Sequence, residues 1–398
     1  PRQLDPPVLP AHQGGKLKFG LCRTCNEQQL TEFCMHTDEE RTLTGTWATV
    51  ELELALEEGY RIVQCIEGMH YDKWIKYERD KETGEVIQHG LYSRYMDAFI
   101  KLKAQASGWP AGVTNDTEKD EFLAFFMREE GVELEKDKVA KNGPARASAK
   151  LALNSLWGKS GENPIRSKTL LTSNYEDFFA IISKPGVKVQ SLLSLSGSDR
   201  VKLKYQAEEV VTDPLGSNSI AVASLTTAYA RVRLYRALKK IRPDRLLYAD
   251  TDSIIFVHDT REPNPLAEMM GETLGRMTDE LPTGSRCIGF VSQGPKVYSL
   301  RTVRETGEGG VHETVKCRGF TLTAEAENHV NYDQISKHVD ALIAGTSTEP
   351  VPVRYFKISS DREHNVYSHE QVKGFRPVFD KRIVLPDGRT RPFGWCAE

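Results

Sequence analysis

The sequence predicts an α+β chain of several domains, and three observations predict it. Long stretches at 88–108, 117–135 and 217–241 read as helices. Apolar runs split by turn residues, at 245–258 and 288–303, read as antiparallel strands. The chain has 398 residues, 39% hydrophobic and 27% charged, enough for a sizeable core, and at about 100–200 residues per domain it should hold two to four domains.

Each element follows in order. Residues 1–40, rich in Pro, Gly and Cys, read as loops and short strands. In 47–60, Leu52 and Leu56 recur at helical spacing and Gly59 supplies a stop. RIVQCIEGMHY at 61–71 reads as a strand, and 88–108 as a helix closed by Gly108 and Pro110. The acidic stretch 117–135 reads as a helix, after which the sign flips. In 136–168 eight basic residues, Arg166 among them, face only Asp137 and Glu162. Residues 185–212 read as a strand hairpin. The helix at 217–241 opens with capping-type Ser217 and Asn218 and ends in cations that suit the helix dipole. Further helices are expected at 264–281, with Asn264 as cap and Pro265 at the first position, and at 324–343. The stretch 309–322 reads as strand.

Net charge is -3 and the sequence pI about 6.4, which argues against coating nucleic acid by bulk charge and leaves room for a local basic cleft. Mean hydropathy is -0.47, and no apolar stretch approaches the ~18–20 residues of a membrane-spanning helix. The seven cysteines, an odd number with four of them scattered, do not form a secreted disulfide framework, so a reducing compartment, nucleus or cytoplasm, is expected. The start PRQLDPPVLP shows no Met, basic leader or apolar leader, and reads as a fragment whose beginning is expected upstream.

The strongest chemical signal is Tyr248-Ala249-Asp250-Thr251-Asp252-Ser253 between two apolar runs. Carboxylates held close on a hairpin repel and raise each other's pKa, and a bound divalent ion such as Mg²⁺ relieves that cost. The second is KLALNSLWGK at 150–159. On a helix Arg146, Lys150, Asn154 and Trp157 fall on one stripe, which reads either as two cations, an amide and a flat ring for a triphosphate and a base pair, or as an ordinary amphipathic helix with core Leu and solvated Lys. A third, Cys22-x2-Cys25-x8-Cys34-x-His36, has two readings: four zinc ligands, with an unusually short Cys34–His36 spacing, or reduced thiols in a loop.

Together KLALNSLWGK, YADTDS and the Lys-x-Tyr of Gly294-Pro295-Lys296-Val297-Tyr298, in this order, resemble the fingers, palm and primer-end motifs of the family B DNA polymerases. CRTC…CMH, EERTLTGTWATVELELALEEGY and GRMTDEL…FVSQGPKVY resemble the protein-primed branch, closest to Polinton (Maverick) transposon and viral members, over essentially the whole chain.

The resemblance implies a right-hand architecture: a palm with an antiparallel sheet, helical fingers and a thumb, incomplete at the N-terminus. It divides the chain into a palm-proximal region at 1–110, fingers at 111–168, a connecting hairpin insertion at 169–212, palm at 213–305 and thumb at 306–398. It implies template-directed addition of dNTPs to a primer 3′-OH with two Mg²⁺ ions. Asp252 is then a direct metal ligand and Asp250 a weaker one. Lys150 grips the triphosphate with Arg146, while Asn154 and Trp157 face the nascent pair. Tyr248, Lys296 and Tyr298 lie against the primer end. Primer–template DNA, dNTPs and a terminal priming protein are the implied partners, in a virus- or transposon-associated setting.

Trp157 stands where the family usually has Tyr, keeping the flat face and losing the hydroxyl. No DxxSLYP string, which carries the family's other palm Asp, occurs, and Asp5-Pro6-Pro7-Val8-Leu9-Pro10 is the nearest. The exonuclease carboxylates are absent too. The isolated chain is therefore expected to bind primer–template weakly and extend it negligibly. Two other readings stand beside this one: a decayed remnant that only binds DNA, and a zinc-dependent binding module.

Overall fold

Hairpins and helices alternate along the chain in the computed structural model, which describes residues 1–73, 75–110, 112–163, 167–195, 199–207, 218–271, 273–306, 309–361 and 363–397. Arg166, residues 208–212 of the expected hairpin and Ser217 of the expected helix lie outside the described residues. The chain begins with a small hairpin, β1 (Ala11–Gln13) and β2 (Lys16–Lys18). Two short helices follow, α1 (Arg23–Gln28) and α2 (Asp38–Arg41), then α3 (Thr49–Glu57). Residues 61–71 form no strand. Their apolar side chains Val63, Ile66 and Met69 are exposed, and among the described residues no strand pairs with this stretch. Pairing resumes at β3 (Glu78–Arg79) and β4 (Val86–Gln88).

Three helices form the next unit: α4 (Ser93–Ser107), α5 (Asp116–Glu130) and α6 (Gly143–Ser160). The second stops short of the expected residue 135 because Gly131 turns left-handed at φ 69° and its N–H closes onto Met127 O. Ile100, Val132 and Leu134 are the buried centre of this unit, with Met96, Phe122, Phe126 and Leu153 around them. The next sheet has β5 (Lys168–Thr172), β6 (Val187–Ser194) and β7 (Val201–Ala207) in the order β5-β7-β6, with α7 (Tyr175–Ile182) between the first two in sequence.

Helix α8 (Ile220–Leu238), N-capped by Ser219 through Val222 N, is the spine of the molecule. Its start meets the end of α6, where Ser219 N donates to Ser160 O at 2.8 Å. Its middle packs on α3 and the N-terminal segment: Val232 and Tyr235 bury with Val8, Leu9, Leu54 and Ala55. There the Arg231 guanidinium meets the buried Glu51 carboxylate at 2.7 Å. Its end supports a hairpin, β8 (Leu246–Asp250) and β9 (Ser253–Phe256). Ala237 and Ile241 pack with Leu246, Ile254, Phe256 and Leu266.

The helix expected over 264–281 reduces to one 3-10 turn at Ala267–Met269. Asn264 does not cap it: Leu266 is the residue before the turn, and Asn264 only accepts from Leu266 N at 2.9 Å in the bend that precedes it. The chain then folds back, Met277 N donating to Met269 O, across Gly271 at φ 158° and Gly275 at φ 78°, conformations that a helix interior does not contain.

A three-stranded antiparallel sheet follows: β10 (Ser285–Gly294), β11 (Val297–Arg304) and β12 (His312–Cys317). Since Val297 pairs with Cys317, this sheet runs across the expected 305/306 division. The helix expected over 324–343 is two, α9 (Ala324–Glu327) and α10 (Tyr332–Ile343). Asn331 caps a fresh start by accepting from Gln334 N, and the break tucks Val330 into the core. The last hairpins are β13 (Val351–Ser360) with β14 (Val366–Phe375), and β15 (Ile383–Val384) with β16 (Thr390–Arg391). Among the described residues no helix is long and apolar enough to cross a membrane.

Candidate active site

The β8–β9 hairpin places Asp250 as its last paired residue, opposite Ser253, with Thr251 and Asp252 in the turn. Thr251 sits at φ 57°. That left-handed conformation costs a β-branched residue about 1–3 kcal/mol and recurs where geometry serves a site. The turn is closed by Asp252 N onto Asp250 O at 2.6 Å, by Ser253 Oγ onto the same carbonyl at 3.0 Å, and by Thr251 Oγ1 onto Asp250 Oδ1 at 2.9 Å. Asp250 is half-buried; Asp252 is exposed.

The Gly294-Pro295-Lys296 turn between β10 and β11 reaches this hairpin. Lys296, itself at φ 62°, donates its backbone N–H to Tyr248 OH at 2.8 Å and its Nζ to Asp250 Oδ2 at 2.6 Å. The Tyr248 and Tyr298 rings lie 5.0 Å apart, and Phe290 stands 6.4 Å from the first and 6.1 Å from the second. Four residues singled out by sequence, Tyr248, Asp250, Lys296 and Tyr298, therefore meet in one place.

One expectation is corrected here. Mutual repulsion was to raise the carboxylate pKa values. Burial does push Asp250 up, but hydrogen bonds from Lys296 and Thr251 outweigh it and hold the group below the usual carboxylate range. The nearest charge to Asp250 is a cation from another sheet, which sequence spacing did not reveal. Burial pushes Tyr248 above the ordinary phenol range, and the Asp250 charge adds to that.

Helix α6 carries the second predicted group. Asn142 caps it by accepting from Ala145 N, Pro144 begins it, and Ala149 is its fully buried contact. Arg146, Lys150, Asn154 and Trp157 all lie on its exposed side, with Trp157 42% exposed. Arg146 Nε donates to Ser107 Oγ at 3.2 Å. Lys150 has no ion pair among the described residues, so its charge is free for an anion. No hydrogen bond or ion pair among the described residues joins this stripe to the hairpin; the two are linked through α8, which touches α6 at one end and the hairpin at the other.

The third predicted group also converges. The ligand atoms of Cys22, Cys25, Cys34 and His36 all lie within 4.8 Å of one another. His36 Nδ1 is 3.6, 3.3 and 3.4 Å from the three sulfurs in that order. Burial pushes the Cys22 and Cys25 thiols up. Burial also pushes on Cys34, but hydrogen bonds from His36 outweigh it and hold that thiol at about 7. Sequence reasoning missed Arg41 and Cys396, which flank this cluster: Arg41 Nη1 donates to Cys34 Sγ at 2.8 Å and to Cys396 Sγ at 3.1 Å. It missed Phe290 as well; Phe290 shares a strand face with Ser292, the residue that pairs with Tyr298 across the sheet.

Comparison with known proteins gives a partial likeness. No family model matches the chain, and no solved structure matches it. A protein of Neurospora intermedia named "Probable DNA polymerase" is 29% identical over 187 residues, which is 46% of this chain. The matched part spans only 18% of that protein's length.

Proposed function

We propose that this chain is the palm, fingers and thumb portion of a DNA-directed DNA polymerase of family B, in the protein-primed branch and of Polinton type. The observation that carries this reading is the meeting of Tyr248, Asp250, Lys296 and Tyr298 beside the exposed Asp252. The partial likeness to a protein named as a DNA polymerase supports the same direction.

In this reading the palm is 213–305, the fingers 111–168 and the thumb 306–398, with β12 continuing the palm-side sheet past the 305/306 division. Asp252 and Asp250 offer hard carboxylate oxygens of the kind that Mg²⁺ takes. Divalent ions bound there supply Lewis acidity toward the attacking and leaving oxygens. Asp252, exposed and without a cation partner among the described residues, is the direct ligand. Asp250 would be the weaker ligand, because Lys296 Nζ already occupies its Oδ2 and Thr251 Oγ1 its Oδ1. Lys150 and Arg146 hold the triphosphate, Asn154 and Trp157 flank the nascent pair, and the Tyr248–Tyr298 pair supports the primer end. Contacts to DNA are chiefly to phosphate, so affinity falls with added salt. A priming protein belongs to the same proposal.

The test is Mg²⁺-dependent binding of a dNTP by the chain on primer–template DNA. Asp252→Asn and Lys150→Ala should each weaken it by about 10-fold or more, the loss of a charged contact. Affinity indifferent to both substitutions would sink the reading. Retained DNA binding with no Mg²⁺-dependent dNTP binding would favour the DNA-binding remnant.

A further inference from the structure

We propose that Cys22, Cys25, Cys34 and His36 form a structural zinc site that fastens the C-terminal segment 383–397 onto residues 1–41, with Arg41 positioned against its thiolates. This inference stands apart from the polymerase reading and rests on different residues.

The first argument is geometric. A tetrahedral ion with sulfur at ~2.3 Å and nitrogen at ~2.0–2.1 Å has N···S edges of about 3.5 Å. The three observed separations from His36 Nδ1, 3.6, 3.3 and 3.4 Å, already match those edges. Using Nδ1 also resolves the short Cys34-x-His36 spacing, because that nitrogen lies closer to the backbone than Nε2. The local chain holds the ligands in place: Cys22 is the residue before α1 and Cys25 lies in its first turn. His36 directly precedes Thr37, whose capping box with Glu40 fixes the start of α2.

The second argument is charge. Arg41 is only 7% exposed. Its guanidinium donates to two sulfurs and to the carbonyls of Gly394 at 3.1 Å and Pro1 at 3.2 Å. It has no carboxylate partner among the described residues. A buried cation needs a compensating anion. Zn²⁺ with three thiolates and a neutral imidazole carries one net negative charge, which supplies it.

The third argument is closure. The set of three sulfurs and one nitrogen, with no carboxylate, suits Zn²⁺ rather than Mg²⁺ or Ca²⁺. The cysteines are free and buried among Ile383, Phe393 and Cys396. A four-ligand shell of this kind leaves no position for a substrate, which marks a structural rather than a catalytic site. The C-terminal segment is laid directly on it. Leu21 N donates to Phe393 O and Cys34 N to Trp395 O, both at 2.8 Å, and Cys396 N donates to Arg2 O at 3.1 Å. Gly394, at φ 87°, passes so close to Cys22 that a Cβ would collide with it.

The experiment is metal analysis of the purified 398-residue chain, followed by amide hydrogen exchange before and after a zinc chelator. One zinc per chain is expected, lost in Cys25→Ser and kept in Cys396→Ser. Chelation should speed exchange at Leu21, Cys34 and Cys396 and leave the β13–β14 hairpin unchanged. A zinc-free chain that takes up no added zinc overturns the proposal, as does zinc that survives Cys25→Ser or is lost in Cys396→Ser. If Cys25→Ser does not fold, the chelator measurement on the unaltered chain still decides: unchanged protection at those three amides overturns the fastening role.

Discussion

The cysteine–histidine cluster and the Asp250–Asp252 hairpin are both sets of metal-ligating side chains, and they are built in opposite ways. The cluster draws its ligands from one short stretch, 22–36, and buries them under a segment from the far end of the chain. Its geometry matches an ion before any rearrangement. The hairpin instead keeps Asp252 exposed, holds Thr251 in a costly conformation and compensates Asp250 with Lys296 from another sheet. A site whose metal holds the fold together can be closed and complete. Under the proposed function the hairpin must admit a nucleotide and release a product, which an open site with Asp250 balanced by a half-exposed Lys296 would allow.

The comparison can be broken most forcefully at the cluster. Removing zinc, or substituting Cys25→Ser, should destabilise the N-terminal region by several kcal/mol, a fraction of the ~10–16 kcal/mol that zinc contributes to small zinc-folded peptides. Denaturant melts with and without chelator read this out. Melts that do not separate would place the cluster with ordinary buried thiols.

Next in size is the helix that supports the hairpin. Arg231→Met leaves Glu51 buried without its cation. We expect a loss of about 2–3 kcal/mol, below the ~3–5 kcal/mol of a fully buried pair because the Arg231 side chain is 34% exposed. Urea denaturation at neutral pH measures it, and a loss near zero would show that α8 is held by its apolar face alone. Gly394→Ala should cost about 1–3 kcal/mol by overpacking against Cys22, with a further contribution from the left-handed φ. The same change should accelerate exchange at Cys34 N. An unperturbed melt would separate the C-terminal segment from the metal site.

The smallest effect is at the open site. The native pKa of Asp250 is depressed, so this group stabilises the fold above the usual carboxylate pKa, and that contribution is lost as pH falls through the native value. Lys296→Met leaves burial unopposed by that ammonium and removes the contribution at neutral pH. Because both side chains are partly solvated, the difference between the two proteins should stay under ~1 kcal/mol at pH 7 and vanish in acid. A gap that widened as pH fell would contradict the assignment of Lys296 as the partner of Asp250.

Much of this was legible in the sequence because it is local. YADTDS between apolar runs states a hairpin, the spacing of Arg146, Lys150, Asn154 and Trp157 states a shared helix face, and Cys22-x2-Cys25 states a pair of thiols on one turn. The residues that failed were those decided by distant neighbours. The run 61–71 has strand-forming residues but no edge to join. Gly271 and Gly275 fold back a stretch that Asn264 and Pro265 had opened as a helix. Lys296 reaches Asp250, and Arg41 reaches Gly394, across long spans of chain that no spacing rule connects. The α6 stripe lies between these cases. Its shared face followed from helical spacing, whereas its relation to the hairpin depends on how α8 spans the two.

In the proposed function the hairpin and the α6 stripe serve one nucleotide. The most direct measurement is the affinity of Mg²⁺–dNTP for the chain on primer–template DNA, in a double-mutant cycle of Asp252→Asn with Lys150→Ala. If both residues grip the same triphosphate–metal unit, each single change weakens binding and the double change weakens it by less than the two effects combined. Two effects that add independently, or no effect of either, would contradict the account.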